Sequence, residues 1–214
     1  MPRLRLNMTM SLDGYVAGPG QSLEHPLGEG GRALHQWAIA TRSFRATHGM
    51  EGGETGLDDD VAGAWNAHIG ATIMGRNMFG PVRGEWPDDA WKGWWGDDPP
   101  YHGPVFVLTH HAREALEMAG GTTFHFVTEG VEAALAQARA AAGAKDVHLS
   151  GGASLLRQCL AAGLVEQLDV SLAPVFLGRG ERPFDGPAAA ALDLEQVRVI
   201  PAPGVTHLRY RVKR

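Results

Sequence analysis

Two segments place glycine between an apolar run and a more polar one: Ile73-Met74-Gly75-Arg76-Asn77-Met78-Phe79 and Val147-His148-Leu149-Ser150-Gly151-Gly152-Ala153-Ser154. Read as strand-to-helix turns, both leave free backbone N–H groups at a helix start. Such groups bind anions, and glycine lets a phosphate approach the main chain. Two such points suit a dinucleotide, and Arg76 can add a planar charged fork to one of its phosphates. The competing reading is that these glycines only close turns. The chain has no G-x-G-x-x-G, no G-x-x-x-x-G-K-S/T and no H-E-x-x-H, so an ordinary Rossmann site, a P-loop and a zincin are unsupported. The His110-His111 pair has no acidic ligand at metal spacing, and no metal is expected.

Composition bounds what can position these residues. With 214 residues, 44% hydrophobic and 20% charged, the chain can bury one sizeable core, and the most economical account is a single domain over 1–214. A lone cysteine, Cys159, forbids an intrachain disulfide and a multi-Cys zinc cage, which fits a reducing cytoplasm. The N-terminal residues lack the apolar stretch of a signal peptide, and no apolar run reaches the ~18 residues of a membrane span, so no membrane association is expected. A net charge of -5 argues against nucleic acid as a partner but leaves room for a local basic pocket. The 29 glycines are about twice the usual ~7% and follow no fixed period, which points to close backbone approach in loops.

The elements follow from periodicity. Leu4, Leu6, Met8 and Met10 alternate with polar residues as a strand ending near Ser11, and Asp13-Gly14 turns the chain. A glycine-punctuated loop runs from Gly18 to Gly31. Leu34, Trp37, Ala38 and Thr41 then share a helical face to about Thr47. Asp58-Asp59-Asp60 suits a helix N-terminus before the strand Ala71-Thr72-Ile73-Met74. The stretch from Pro81 to Pro104 holds Trp86, Trp91, Trp94 and Trp95 without a sustained period and reads as a long structured loop packed by its indoles. Strands at Val105–Thr109, Phe124–Thr128 and Val147–Ser150 flank an alanine-rich helix from Val131 to about Ala142, which suggests a parallel crossover. A helix from Gly151-Gly152 closes at Gly163, Leu168–Leu172 alternates, and Val197–Ile200 with His207–Val212 forms a final antiparallel pair.

In order, Ser11-Leu12-Asp13-Gly14, Ile73-Met74-Gly75-Arg76, Val107-Leu108-Thr109, Leu149-Ser150-Gly151-Gly152 and Pro174-Val175-Phe176-Leu177-Gly178-Arg179-Gly180 resemble the dihydrofolate reductase superfamily. The branch they resemble is the reductase domain of the bifunctional riboflavin-biosynthesis deaminase-reductase. The resemblance runs from Leu4 to Val212. It implies an α/β fold with a mixed, mostly parallel central sheet flanked by helices, NADPH as cofactor, and a homodimer. Carried over by position, it puts Gly75, Arg76, Asn77 and Met78 at the cofactor phosphates, and Thr109, His110 and His111 beside the adenosine ribose. It sets Gly151, Gly152, Ala153, Ser154 and Leu155 against the pyrophosphate, with a Gly-Gly peptide that is commonly cis. Ala17 and Gly18 would lie near the nicotinamide. Leu34, Trp37 and Ala38 would line the substrate pocket, with Gln21–Gly31 as a lid. An ungapped alignment places Asp59 where folate-reducing members carry an acid, although riboflavin-type members lack it and Asp58, Asp59 and Asp60 also make a helix N-terminal cluster. Chemically, the expectation is a cytoplasmic, stand-alone NADPH-dependent reductase of a small heterocyclic, pterin- or pyrimidine-like substrate, with weak or no dihydrofolate reduction. The alternative is a non-catalytic nucleotide- or drug-binding protein on the same fold.

Overall fold

The computed structural model describes residues 2–81 and 83–213. In chain order the elements are β1 (Leu4–Ser11), a 3-10 turn (Gly31–His35), α1 (Gln36–Ala40), α2 (Arg42–Thr47), α3 (Leu57–Ala64), β2 (Ile69–Gly75), α4 (Arg76–Phe79), β3 (Pro104–Leu108) and β4 (Leu116–Glu117). After a second 3-10 turn come β5 (Thr123–Val127), α5 (Val131–Ala142), β6 (Asp146–Gly151), α6 (Ala153–Ala161), β7 (Gln167–Ala173), α7 (Pro187–Ala190), β8 (Leu194–Pro201) and β9 (Thr206–Val212). The class is α/β, with a mixed, mostly parallel central sheet and flanking helices. The chain groups into two compact units, one of Met1–Arg5 with His68–Val165 and one of Leu6–Ala67 with Glu166–Arg214.

In the first unit β2 is paired in parallel with β3 on one edge and β6 on the other, β3 pairs in parallel with β5, and β4 is antiparallel to β5. Buried runs such as Ala71–Met74 and Val105–Val107 read as continuous apolar stretches because both faces of a parallel strand are covered. Helix α5 buries Ala134, Leu135, Ala138 and Ala142 along one stripe and packs over β2 and β3. Its small side chains let it come close: a Cβ on Gly70 would lie 2.6 Å from the Ala142 carbonyl oxygen. The crossover β5-α5-β6 is parallel, but β3 and β2 lie between its two strands, so it spans a wider reach than a bare strand-helix-strand unit. Phe79, Phe124, Met74, Val105 and Val107 form a buried cluster on which Trp86, Trp91, Trp95 and Tyr101 rest. The tryptophan-rich stretch is thus packing, as expected, although Val82 in it lies outside the described residues.

Cys159 is fully buried on α6, and burial pushes its thiol up to about 12. A buried, protonated thiol is a poor nucleophile. An aromatic disulfide reagent at neutral pH is therefore expected to label none of the folded protein and all of it in denaturant; rapid labelling of the native chain would contradict this packing.

In the second unit β9 pairs antiparallel with both β7 and β8. The helix expected from Leu34 to Thr47 is interrupted. Thr41 sits in extended backbone at φ -72°, ψ 149°, its hydroxyl accepts from the Phe44 N–H and donates to the Ala38 carbonyl, and α2 restarts from that cap. Sequence periodicity carried straight through because the interruption preserves the buried face of α1. The two-residue β4 and the four-residue α7 were not foreseen, being shorter than any periodic pattern.

Candidate functional site

The two glycine turns adjoin inside the first unit. Met74 is in register with Gly151, and a Cβ on Gly75 would lie 3.5 Å from Leu155 Cβ and 3.6 Å from Gly152 N. Gly151 has φ 113°, which excludes most side chains, and the Gly151–Gly152 peptide is cis. A Cβ on either residue would meet nothing within 4 Å, so the space over this turn is open. Ala153 and Leu155 point their side chains into the core, leaving only their main chain to the site, whereas Ser154 is exposed. The first-turn N–H groups of α6 have no intrahelical acceptor.

Arg76 follows Gly75 directly at the start of α4. Its guanidinium carbon lies 3.2 Å from the centre of the Trp86 ring, and Nη1 donates to Thr109 Oγ1 at 3.2 Å. Among the described residues, its Nε and Nη2 are buried and without a hydrogen-bond partner. Such orphaned charged donors are costly unless an acceptor arrives. Burial first, then the neighbouring cations Arg83 and Arg113, lowers the Arg76 pKa. Trp86 donates from Nε1 to the His111 carbonyl at 2.9 Å, and the His111 N–H donates to Thr109 Oγ1 at 3.2 Å. Gly75, Arg76, Thr109 and His111 thus form one cluster, with His110 exposed at its edge, Asn77 exposed and Met78 turned into the aromatic core. Sequence reading missed Trp86 and Arg113 as members of this cluster. Arg113 is held by the Trp91 and Asp89 carbonyls, both at 2.8 Å, and no spacing rule relates it to Arg76.

The remaining candidates lie in the second unit. Ala17 is buried and its carbonyl accepts from the Glu181 N–H at 2.9 Å. A Cβ on Gly18 would fall 1.9 Å from the Glu29 carbonyl oxygen, so the segment from Gly18 to Gly31 folds tightly on itself. It is cross-linked by Gly18 N–H to Leu27 O, Glu29 N–H to Pro19 O and the Arg179–Glu29 ion pair at 3.0 Å. Leu34 and Ala38 are fully buried, and Trp37 donates to Thr9 Oγ1 at 3.2 Å. Asp59 accepts the Ser43 N–H at 2.6 Å and lies 3.9 Å from Arg42. The Ser43 backbone donation, reinforced by the Ser43 side chain and Arg42, holds its carboxyl below the ordinary range. That is the geometry of a carboxylate closing the start of α2 rather than of an acid with a proton to give. Asp13 ties the loop after β1 to the backbone N–H groups of Leu177 and Gly178.

Among the described residues no group of three or more His, Cys, Asp or Glu is arranged to hold a metal ion, and no helix is long and apolar enough to cross a membrane.

A sequence model of the RibD C-terminal domain matches residues 2–206. Among solved structures, a Shewanella sp. PV-4 protein provisionally assigned to riboflavin biosynthesis superposes with a TM-score of 0.63 at 21% identity over 100% of both chains. A diaminohydroxyphosphoribosylaminopyrimidine deaminase/5-amino-6-(5-phosphoribosylamino)uracil reductase of Thermotoga maritima gives 0.54 at 14% identity, covering 99% of this chain and 57% of that one. The riboflavin biosynthesis reductase Rib7 of Saccharomyces cerevisiae gives 0.52 at 14% identity over 100% and 89%. At these identities the likeness establishes the fold. No curated protein sequence matches the chain.

Proposed function

The chain belongs to the RibD C-terminal domain family, and from that membership we propose that it is an NADPH-dependent reductase of a small pyrimidine-like substrate. One observation carries the reading: buried, unpartnered Nε and Nη2 of Arg76 beside the open Gly151-Gly152 turn. Orphaned cationic donors next to side-chain-free main chain fit a phosphate-bearing cofactor. Arg76 and Thr109 would hold one phosphate, and the Gly75 and Gly151–Leu155 main chain the pyrophosphate. When bound, the reduced nicotinamide supplies a hydride, the chemistry being the cofactor's own.

The test is loss of nicotinamide absorbance when the purified protein is given NADPH and 5-amino-6-(5-phosphoribosylamino)uracil, the compound named for the Thermotoga protein. Turnover is expected. Tight NADPH binding without oxidation across a panel of pyrimidines and pterins would instead make this a nucleotide-binding protein. Dihydrofolate is expected to be a poor substrate, and Asp59→Asn is expected to leave pyrimidine reduction in place while lowering the melting temperature at pH 7. The Asp59 pKa is depressed in the folded state, so its stabilisation is present above the unfolded value of ~3.9 and lost as pH falls through the folded one. The gap in melting temperature should therefore close in acid, whereas an Asp59→Asn enzyme with no reductase activity would restore Asp59 as the proton donor.

Localisation in the cytoplasm and a homodimer complete the reading. Trp86, Trp91 and Trp95 pack inward on the Phe79 cluster, and β7 has neighbours on both edges. Among the described residues the exposed large apolar side chains include Leu194, Val197 and Val199, which lie together on β8. Light scattering is expected to give a dimer mass that Val199→Lys reduces to that of a monomer; a monomeric wild type at micromolar concentration would reject the pairing.

A further inference from the structure

Two cations stand beside Arg76 in the first unit, and they differ in what their nitrogens have left to give. Arg113, with 4% of its side chain exposed, spends all three of its nitrogens. Nε meets Asp89 Oδ1 at 3.2 Å, Nη1 donates to the Trp91 carbonyl and Nη2 to that of Asp89, both at 2.8 Å. It is a strut of the tryptophan-rich loop. Arg83 is exposed and spends only one: Nη1 donates to the Gly80 and Pro81 carbonyls at 3.4 and 3.3 Å, longer than ordinary bonds of this kind. Among the described residues its Nε and Nη2 have no partner, and it makes no ion pair.

The chain holds Arg83 close to Arg76. Before it, Trp91 Nε1 donates to the Phe79 carbonyl at 3.0 Å; after it, Trp86 Nε1 donates to the His111 carbonyl at 2.9 Å, so Arg83 lies between two anchored points. Burial first, then the charge of Arg83 ahead of that of Arg113, lowers the Arg76 pKa. Among the described residues no carboxylate pairs with either guanidinium: Glu85 is exposed and makes no ion pair, and Asp89 is spent on Arg113. Capping two carbonyls at the end of α4 does not account for this arrangement. A cap needs no second, buried guanidinium beside it, and like charges held together cost free energy until an anion arrives.

Nε and Nη2 are open on both Arg76 and Arg83. A bridging phosphate of a dinucleotide offers one negative charge and two terminal oxygens, whereas a phosphate monoester offers nearly two charges at neutral pH and three terminal oxygens. Two open guanidinium edges match the monoester. We propose that Arg83 is a specificity-determining residue, the second arm of a clasp that with Arg76 holds a phosphate monoester, the 2'-phosphate by which NADPH differs from NADH. The proposal deepens the reductase reading above and rests on it. Arg76, stacked on Trp86, is the fixed half. Arg83 gives up its two long carbonyl bonds and closes over the phosphate from the solvent side.

Calorimetry on the full chain decides the matter, with NADPH, NADH, adenosine 2'-monophosphate, adenosine and ribose 5-phosphate as probes. The proteins are wild type, Arg83→Gln, Arg83→Lys and Lys92→Gln. Because Arg83 is exposed, Arg83→Gln is expected to keep the melting temperature of wild type. It should weaken NADPH and adenosine 2'-monophosphate on the order of 10-fold, as loss of one hydrogen bond to a charged group does, and change NADH and adenosine by less than about twofold. Arg83→Lys should keep part of the preference, having the charge without the planar fork. Lys92→Gln removes the same charge from an exposed position of the same loop and should leave NADPH affinity within about twofold, since solvent screens it. An equal loss of NADPH and NADH in Arg83→Gln, no loss of either, or as large a loss of NADPH in Lys92→Gln overturns the proposal. So does a loss confined to ribose 5-phosphate, which would assign Arg83 to a substrate phosphate. If wild type binds neither dinucleotide, the cofactor reading fails, and the two adenosine probes decide the clasp. A preference for the 2'-phosphate that Arg83→Gln abolishes keeps Arg83 at a phosphate monoester; the lack of such a preference rejects it.

Discussion

Replacing Arg76 by alanine is expected to weaken NADPH binding by about 10- to 100-fold, the ~1.5–3 kcal/mol of a hydrogen bond to a charged group, as read by calorimetry. The physical case lies in what surrounds the guanidinium. One of its faces is stacked on Trp86, one nitrogen is engaged by Thr109, and Nε and Nη2 are buried and, among the described residues, unpartnered. Arg83 and Arg113 add like charge, so the unliganded cluster is an electrostatic liability that an anion relieves. Removing Arg76 should consequently leave the melting temperature unchanged or raise it, and an effect on binding without an effect on stability separates a ligand contact from a structural one. Lysine should rescue poorly, because an ammonium cannot stack on the indole and aim a planar fork at the same time. Wild type is expected to prefer NADPH to NADH. An equal loss for both cofactors in Arg76→Ala would assign Arg76 to the pyrophosphate that NADPH and NADH share, and unchanged affinity for both would remove it from the site.

Most of the frame around Arg76 was legible in the sequence, for a physical reason. Parallel strands buried on both faces announce themselves as apolar runs, and α5 as an alanine stripe, so β2, β3, β5, β6 and α5 stand where periodicity put them. The adjoining Gly75 and Gly151-Gly152 turns were legible for the same reason: glycine marks a place where a side chain would obstruct. What was not legible is contact between residues far apart in the chain with no periodic relation. Trp86 over Arg76 comes from a stretch without secondary structure. His207 meets Asp58 across 149 positions, and nothing in Val205-Thr206-His207-Leu208 distinguishes that histidine from an exposed one. Asp58 and Asp59 are adjacent in sequence, but in a helix one residue is a turn of about 100°, enough to give Asp59 a partner on α2 and Asp58 a partner on β9. The break at Thr41 escaped notice because a capping threonine and a helical threonine look alike in sequence.

Phe79→Ala is expected to cost about 3–5 kcal/mol of folding free energy by chemical denaturation, the range for deleting a buried aromatic ring that its surroundings cannot refill. Phe79 is fully buried, its ring centre lies 5.1 Å from Phe124, 5.2 Å from Phe126 and 5.9 Å from Trp86, and the contacts are edge-to-face. Collapse into the vacated volume is opposed from the loop side. The Phe79 carbonyl accepts from Trp91 Nε1 at 3.0 Å, and Trp91 lies so close to Gly80 that a Cβ there would be 2.2 Å from the same nitrogen. Arg113, whose guanidinium carbon is 5.9 Å from the Phe79 ring and 4.9 Å from that of Trp86, is pinned by the Trp91 and Asp89 carbonyls and cannot follow. The cavity should therefore persist, and Trp86, having lost a supporting edge, should no longer fix the plane of Arg76. Cofactor affinity is then expected to fall along with stability, whereas Phe124→Ala, which removes a neighbour on the strand side, should destabilise with less effect on binding. A loss under about 1 kcal/mol would mean that the tryptophan-rich loop repacks freely. Unaltered NADPH affinity in a Phe79→Ala protein that still folds would show that Trp86 holds Arg76 without help from the core beneath it.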